Sequence, residues 1–128
     1  MSVDFYREEI MDHFKHPNNR GRLQNPTVHV KETNPMCGDE IDLDLVINDG
    51  LIQQVGFEGQ ACSVSVVSSS FLTEYIKDKP ISELKKLTKE DLLTMMDLNL
   101  STSRIKCATL ILEALYNAIN KYEEANKH

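Results

Sequence analysis

Tryptophan is absent from the 128 residues, and cysteine is held to three widely spaced positions. An odd number of cysteines without a CxxC pair argues against a disulfide framework and points to a reducing cytoplasm, where thiols stay available for chemistry. No apolar run approaches the roughly 18 residues that a membrane-crossing helix needs. Met1-Ser2-Val3-Asp4 opens without a basic n-region or an apolar h-region, so an exported form is not expected. No basic block interrupts a chain of net charge −6, which disfavours nucleic acid as the main partner. No repeat, low-complexity segment or linker divides the chain, and it is long enough to bury a core unaided. Residues 1–128 are therefore expected to form one domain.

What is present orders itself into elements. Asp4 or Ser2 can cap a first helix whose Val3, Tyr6, Ile10 and Phe14 share a face, and His16-Pro17 ends it. Residues 17–26, with Pro17, Gly21 and Pro26, read as a loop. Val28 and Val30 alternate with His29 and Lys31 in a short edge strand. Ile41, Leu43, Leu45 and Ile47 alternate with Asp42 and Asp44, which predicts a strand with one buried face and one wet face. Asn48-Asp49-Gly50 signals a tight turn into a third strand, Leu51 to about Glu58, where Gln53-Gln54 allows a bulge.

A second helix follows Gly59, with Cys62 at its first turn and Val64, Val67, Phe71 and Tyr75 on one face. Its serines are small enough for close packing. Ser82 can cap a short turn, and Thr88-Lys89-Glu90-Asp91 resembles a capping box opening a helix through Met96. Hydroxyls of Ser101, Thr102 and Ser103 can cap a last helix with Ile105, Ala108, Leu112, Leu115, Ile119 and Tyr122 at helical spacing. This order predicts an α+β fold, a three-stranded antiparallel sheet with helices packed on one face.

The chemistry centres on Asn34-Pro35-Met36-Cys37-Gly38-Asp39. Cys37 and Asp39 stand two residues apart, and Cys62 and Cys107 fall near helix N-termini, where free N–H groups favour negative charge. Three thiolates and a carboxylate make four donors, the number that a tetrahedral zinc or a cluster iron requires. They carry −4, and a divalent ion leaves roughly −2, which Arg104 and Lys106 beside Cys107 would lessen. The spacing leaves an alternative open, that the cysteines are small buried hydrophobes. Read singly, Asp39 suits an exposed turn and Arg104 and Lys106 suit solvent. His13 suits a partly buried position, His16 a helix-end cation, His29 the wet face of a strand, and Met95-Met96 the core.

Four ordered motifs resemble the iron–sulfur cluster assembly proteins of the IscU, SufU and NifU N-terminal family, along nearly the whole chain. They are Tyr6-x-x-x-Ile10-x-Asp12-His13-x-x-x-Pro17-x-Asn19-x-Gly21, Asn34-Pro35-x-Cys37-Gly38-Asp39, Gly59-x-x-Cys62 with its serine-rich helix, and Arg104-x-Lys106-Cys107-Ala108. The resemblance implies that Cys37, Asp39, Cys62 and Cys107 bind zinc or a [2Fe–2S] cluster and that a cysteine desulfurase delivers persulfide sulfur there. Cys107 would be the acceptor in a scaffold and Cys37 in a zinc-dependent sulfurtransferase. Downstream iron–sulfur assembly or acceptor proteins would be the further partners.

Two departures qualify the resemblance. Scaffold-type members carry a histidine before the third cysteine, in a Leu-Pro-Pro-Val-Lys segment read by a chaperone. Thr102-Ser103-Arg104-Ile105-Lys106 stands there in this chain. Arg-x-Lys-Cys is SufU-like, yet the insertion usual in SufU between the second and third cysteines is missing. SufU-like sulfur transfer is the leading expectation and a cluster scaffold the alternative. A structural zinc-binding interaction module is the alternative from another class.

Overall fold

The computed structural model describes residues 8–35, 38–97 and 100–126. Strands β1 (Val28–Asn34), β2 (Asp39–Asn48) and β3 (Leu51–Glu58) form an antiparallel sheet in the order β1-β2-β3. Helix α1 (Glu8–Lys15) precedes it, and α2 (Ser63–Ile76), α3 (Ile81–Leu84), α4 (Lys89–Met96) and α5 (Thr102–Ala125) follow. This is the expected α+β architecture. Helix α5 lies across β1 and β2 and against α2, while α2 also meets β3, α1 and α4.

The alternation of β2 dictates this layering. Side chains two residues apart share a sheet face, and Ile41, Leu43, Leu45 and Ile47 are all buried against the helices. Val28 and Val30 of β1 pair with Leu45 and Leu43, and Val55 and Phe57 of β3 pair with the same two leucines, so one apolar row crosses the sheet. Asp49 and Gly50 both adopt positive φ (54° and 75°), the left-handed pair that a two-residue hairpin turn requires. Beyond it Ile47 faces Ile52 while Val46 faces Gln54, so Gln53 is the extra residue of the anticipated bulge.

The other sheet face departs from expectation. Asp44 was expected to be wet, yet it is 0% exposed because residues 19–27 strap over that face. The strap starts at the free edge of β3, where Phe57 N–H donates to the Asn19 carbonyl (3.0 Å) and Gly21 N–H to the Phe57 carbonyl (2.6 Å). It ends beside β1, where Thr27 N–H donates to the Leu45 carbonyl (2.7 Å). In between, the Asp44 carboxylate accepts from Arg22 Nε (2.6 Å), Leu23 N–H (3.0 Å) and His29 Nδ1 (2.7 Å). His29 is thus committed to a carboxylate rather than left to solvent.

Helix boundaries show where tertiary packing replaced local signals. Asp4, Ser2, Val3 and Tyr6 lie outside the described residues. Ile10 is buried, but Phe14 is 42% exposed and does not continue its face. His13 is partly buried as expected, stacked on Phe71 with ring centroids 3.9 Å apart and 2.7 Å from Ser70 Oγ. Pro80, not Ser82, is the N-cap of α3, since its preset φ suits a helix entrance. Thr88 and Asp91 form the expected capping box on α4. Ser101 is the N-cap residue of α5, but its side chain makes no capping bond.

Helix α2 is central and buried nearly all round. Ser65, Ser68, Ser69 and Ser70 are each 0% exposed, and their small size lets α1, α5 and the sheet approach closely. Met96 fills the core and Met95 is half-buried.

Two consequences are measurable. A Cβ on Gly56 would lie 2.4 Å from the Gly21 carbonyl oxygen, an obstacle of backbone rather than of a flexible side chain. Gly56→Ala should therefore cost about 1–3 kcal/mol in denaturant unfolding. Burial acts to raise the Asp44 carboxyl pKa, but hydrogen bonds from Arg22, Leu23 N–H and His29 outweigh it and hold the group below its usual range. A depressed folded pKa stabilises fully above the unfolded value of about 3.9, and the contribution is lost as pH falls through the folded value. Acid titration of unfolding stability should show this loss below about pH 4 in the wild type and a flatter profile in Asp44→Asn.

Candidate metal centre

Asp39 stands in phase with Ile41, Leu43, Leu45 and Ile47, so the carboxylate opens a row that is otherwise apolar and faces the helices. It is 5% exposed, not the exposed turn residue that its loop position suggested. Gly38 turns the chain into β2 with φ +76°, its N–H donating to the Asn34 carbonyl (2.8 Å). Beyond β3, Gly59 lies so close to the start of β2 that a Cβ there would meet the Glu40 carbonyl oxygen at 2.2 Å. Glu40 N–H donates to the Gln60 carbonyl (2.7 Å), which fixes the β3–α2 connection beside Asp39.

That connection delivers Cys62 as the N-cap residue of α2, without a side-chain capping bond of its own. Asp39 serves the helix end instead. Its Oδ1 accepts from Cys62 N–H (3.2 Å) and its Oδ2 from the Ser65 hydroxyl (2.7 Å). Cys107, buried near the start of α5, is brought to the same place from the opposite side. Its carbonyl lies 2.8 Å from Ser65 Oγ. A carboxylate oxygen of Asp39 and the Sγ atoms of Cys62 and Cys107 all lie within 4.8 Å of one another.

Three donors from three separate elements therefore converge, with Cys107 also part of the hydrophobic core. Tetrahedral zinc with sulfur ligands at about 2.3 Å sets those sulfurs roughly 3.8 Å apart, inside the 4.8 Å within which the three donors lie. The donor set fits zinc or a cluster iron, with borderline-soft sulfur and one hard oxygen already oriented by hydrogen bonds. The N-terminus of α2 stabilises the negative donors, and burial makes their charge costly unless it is paired.

Cys37 lies outside the described residues. Arg104 and Lys106 are exposed on the first turns of α5. His13 and His29 are engaged with Ser70 and Asp44, away from the three donors. Ser65 is the residue that sequence reading missed, having been grouped with the packing serines. Its signal was available, since a residue three beyond Cys62 returns to the same side of the first helical turn.

Known proteins share both the sequence and the fold. The profile of the NifU-like N-terminal domain matches residues 5–128. The chain is 34% identical to the zinc-dependent sulfurtransferase SufU of Bacillus subtilis, over 94% of this chain and 93% of that protein. It is 31% identical to the iron–sulfur cluster assembly scaffold protein IscU of Escherichia coli K12, over 92% and 94% respectively. A SufU protein of the SUF system from Fervidobacterium islandicum has a similar structure (TM-score 0.77, 26% identity, 91% of this chain and 97% of that one). The NifU-like N-terminal protein of Brucella abortus shares the fold at TM-score 0.78 and 18% identity, over 94% of this chain and 96% of that one.

Removal of the carboxylate tests the arrangement directly. Asp39→Ala leaves the partly buried Cys62 N–H without its acceptor and the Ser65 hydroxyl with the Cys107 carbonyl alone, which should cost about 1–3 kcal/mol. Far-UV circular dichroism should still report the sheet and helices, while thermal melting falls and zinc titration shows weaker uptake. Unchanged melting and uptake would remove Asp39 from the site.

Proposed function

The chain belongs to the NifU-like N-terminal domain family, and from that premise we propose that it is an iron–sulfur cluster assembly protein accepting persulfide sulfur by a SufU-like, zinc-dependent route. The observation that carries the reading is the convergence of Asp39, Cys62 and Cys107 within 4.8 Å. Cys37, two residues before Asp39 in the chain, completes the proposed donor set of three thiolates and a carboxylate. Residues 1–128 act as one domain, in the cytoplasm. A cysteine desulfurase is the sulfur-giving partner, and downstream assembly or acceptor proteins receive the sulfur.

Sulfur moves by thiolate exchange. A thiolate of this chain, Cys37 in the transfer mode, attacks the terminal sulfur of the desulfurase's cysteine persulfide. A new S–S bond forms on the acceptor as the old one breaks, and the desulfurase cysteine leaves as a thiolate. No external oxidant is needed, because the sulfane sulfur is only handed on. Bound zinc supplies charge that keeps thiols deprotonated at neutral pH. Asp39, anchored through both oxygens, supports this by holding one donor still while a cysteine exchanges.

A cluster scaffold is the second reading, and the spans of the alignments favour it. The alignment with the Bacillus subtilis SufU spans 138 positions, more than the 128 residues of this chain, so that relative carries residues absent here. The alignment with the Escherichia coli IscU spans 122. In this mode Cys107 is the acceptor and the [2Fe–2S] cluster is cargo, built and passed on. Against the scaffold stands the Arg104-x-Lys106-Cys107 form of the third motif.

Metal analysis of freshly purified reduced protein, followed by anaerobic incubation with desulfurase, cysteine and iron, separates the readings. Retained zinc, several-fold faster desulfurase turnover and a persulfide lost in Cys37→Ser are expected. A stable visible chromophore that requires Cys107 would favour the scaffold. Zinc without persulfide on any cysteine would leave only a structural zinc module.

A further inference from the structure

Resting on the metal-site reading, we infer that Ser65 is a positioning residue of this centre: one buried hydroxyl that sets the Asp39 carboxylate and ties it to the cysteine-bearing start of α5. Ser65 Oγ lies 2.7 Å from Asp39 Oδ2, 2.8 Å from the Cys107 carbonyl and 3.7 Å from Cys62 Sγ. It therefore touches all three donor-bearing residues at once.

The local arrangement resembles a capping box distributed over the fold. In a continuous helix start, the N-cap side chain and an acidic residue three positions later satisfy each other's backbone N–H groups. Here the acid is supplied from β2, with Asp39 accepting the N-cap N–H of Cys62. The third helical position is occupied by Ser65, whose hydroxyl holds that acid by its second oxygen. Each carboxylate oxygen keeps lone pairs for an ion, but the plane of the group is fixed by two anchors. Removal of one anchor leaves the carboxylate free to turn about the other.

Ser65 has a single hydroxyl proton facing two acceptors. The bond to the carboxylate is the stronger, being charge-assisted. The Cys107 carbonyl is the alternative acceptor, so the proton can turn to it when the carboxylate engages an ion. Either way the oxygen remains between β2 and α5 and sets the approach of Cys107 to Asp39. The site is 0% exposed at Ser65, so no bulk water is present to take over the hydroxyl's role.

Ser65→Ala removes only the oxygen, and Ser68→Ala is the matched control. Ser68 is equally buried on the same helix, but its hydroxyl bonds the Ser65 carbonyl and not a donor residue. Full-length proteins would be compared by zinc competition against a chromophoric chelator, by absorption of the cobalt(II)-loaded forms, and by melting of the metal-free forms. Relative to wild type, Ser65→Ala should bind zinc about tenfold or more weakly, the range typical of residues that orient ligands. Its cobalt ligand-field bands should shift, and its metal-free form should melt below that of Ser68→Ala, because a buried Asp39 oxygen loses its donor. Wild-type affinity and bands in Ser65→Ala would overturn the inference, as would equal losses in Ser68→Ala. Absence of tight zinc binding by the wild type would overturn the metal-site reading and this inference together.

Discussion

The carboxylate of Asp39, buried at the N-terminal end of α2, is the contact on which the rest of the centre depends. It closes the helix end that Cys62 leaves uncapped, and it does so from the first residue of β2. A single interaction thereby fixes the sheet, the second helix and, through Ser65, the start of the last helix relative to one another. Burying an anion is costly unless it is hydrogen-bonded, and both oxygens of Asp39 are. The same charge that completes the helix end is available to a metal ion. Structural and chemical duties thus fall on one group.

A second buried carboxylate performs a different task. Asp44 points to the opposite sheet face from Asp39 and is matched by Arg22, His29 and the Leu23 N–H. These partners hold the 19–27 strap over the sheet and protect the free edge of β3, which would otherwise offer unpaired backbone groups to other chains. The centre and the strap are therefore built on opposite faces of β2, by acidic residues of opposite phase. One face carries the converging donors while the other secures the platform.

The balance between sulfur transfer and cluster building rests on features that pull apart. The third motif is SufU-like and the alignment with SufU spans more positions than that with IscU, yet both kinds of relative cover more than nine-tenths of the chain. Three donors with a pre-oriented oxygen suit an ion that must be held while one thiolate is exchanged. They suit a growing cluster equally in donor type, since both demand thiolate and tolerate a carboxylate. The distinction lies in which cysteine moves, a question of accessibility and partner contact rather than of coordination chemistry.

Period-two alternation and turn residues made the sheet legible in advance, because side-chain direction in a strand follows from position alone. The Asp49-Gly50 turn, the bulge at Gln53 and the Thr88–Asp91 box were local for the same reason. Family motifs singled out Cys37, Asp39, Cys62 and Cys107, but spacing without a CxxC pair could not bring them together. Convergence of Asp39, Cys62 and Cys107 was decided by tertiary structure, through the close passage of Gly59 past β2 and the packing of α5 on α2. So were the burial of Asp44 under a loop and the reach of Ser65 to three residues. Contacts between residues 23 to 42 positions apart depend on how whole elements pack, and no local preference encodes them.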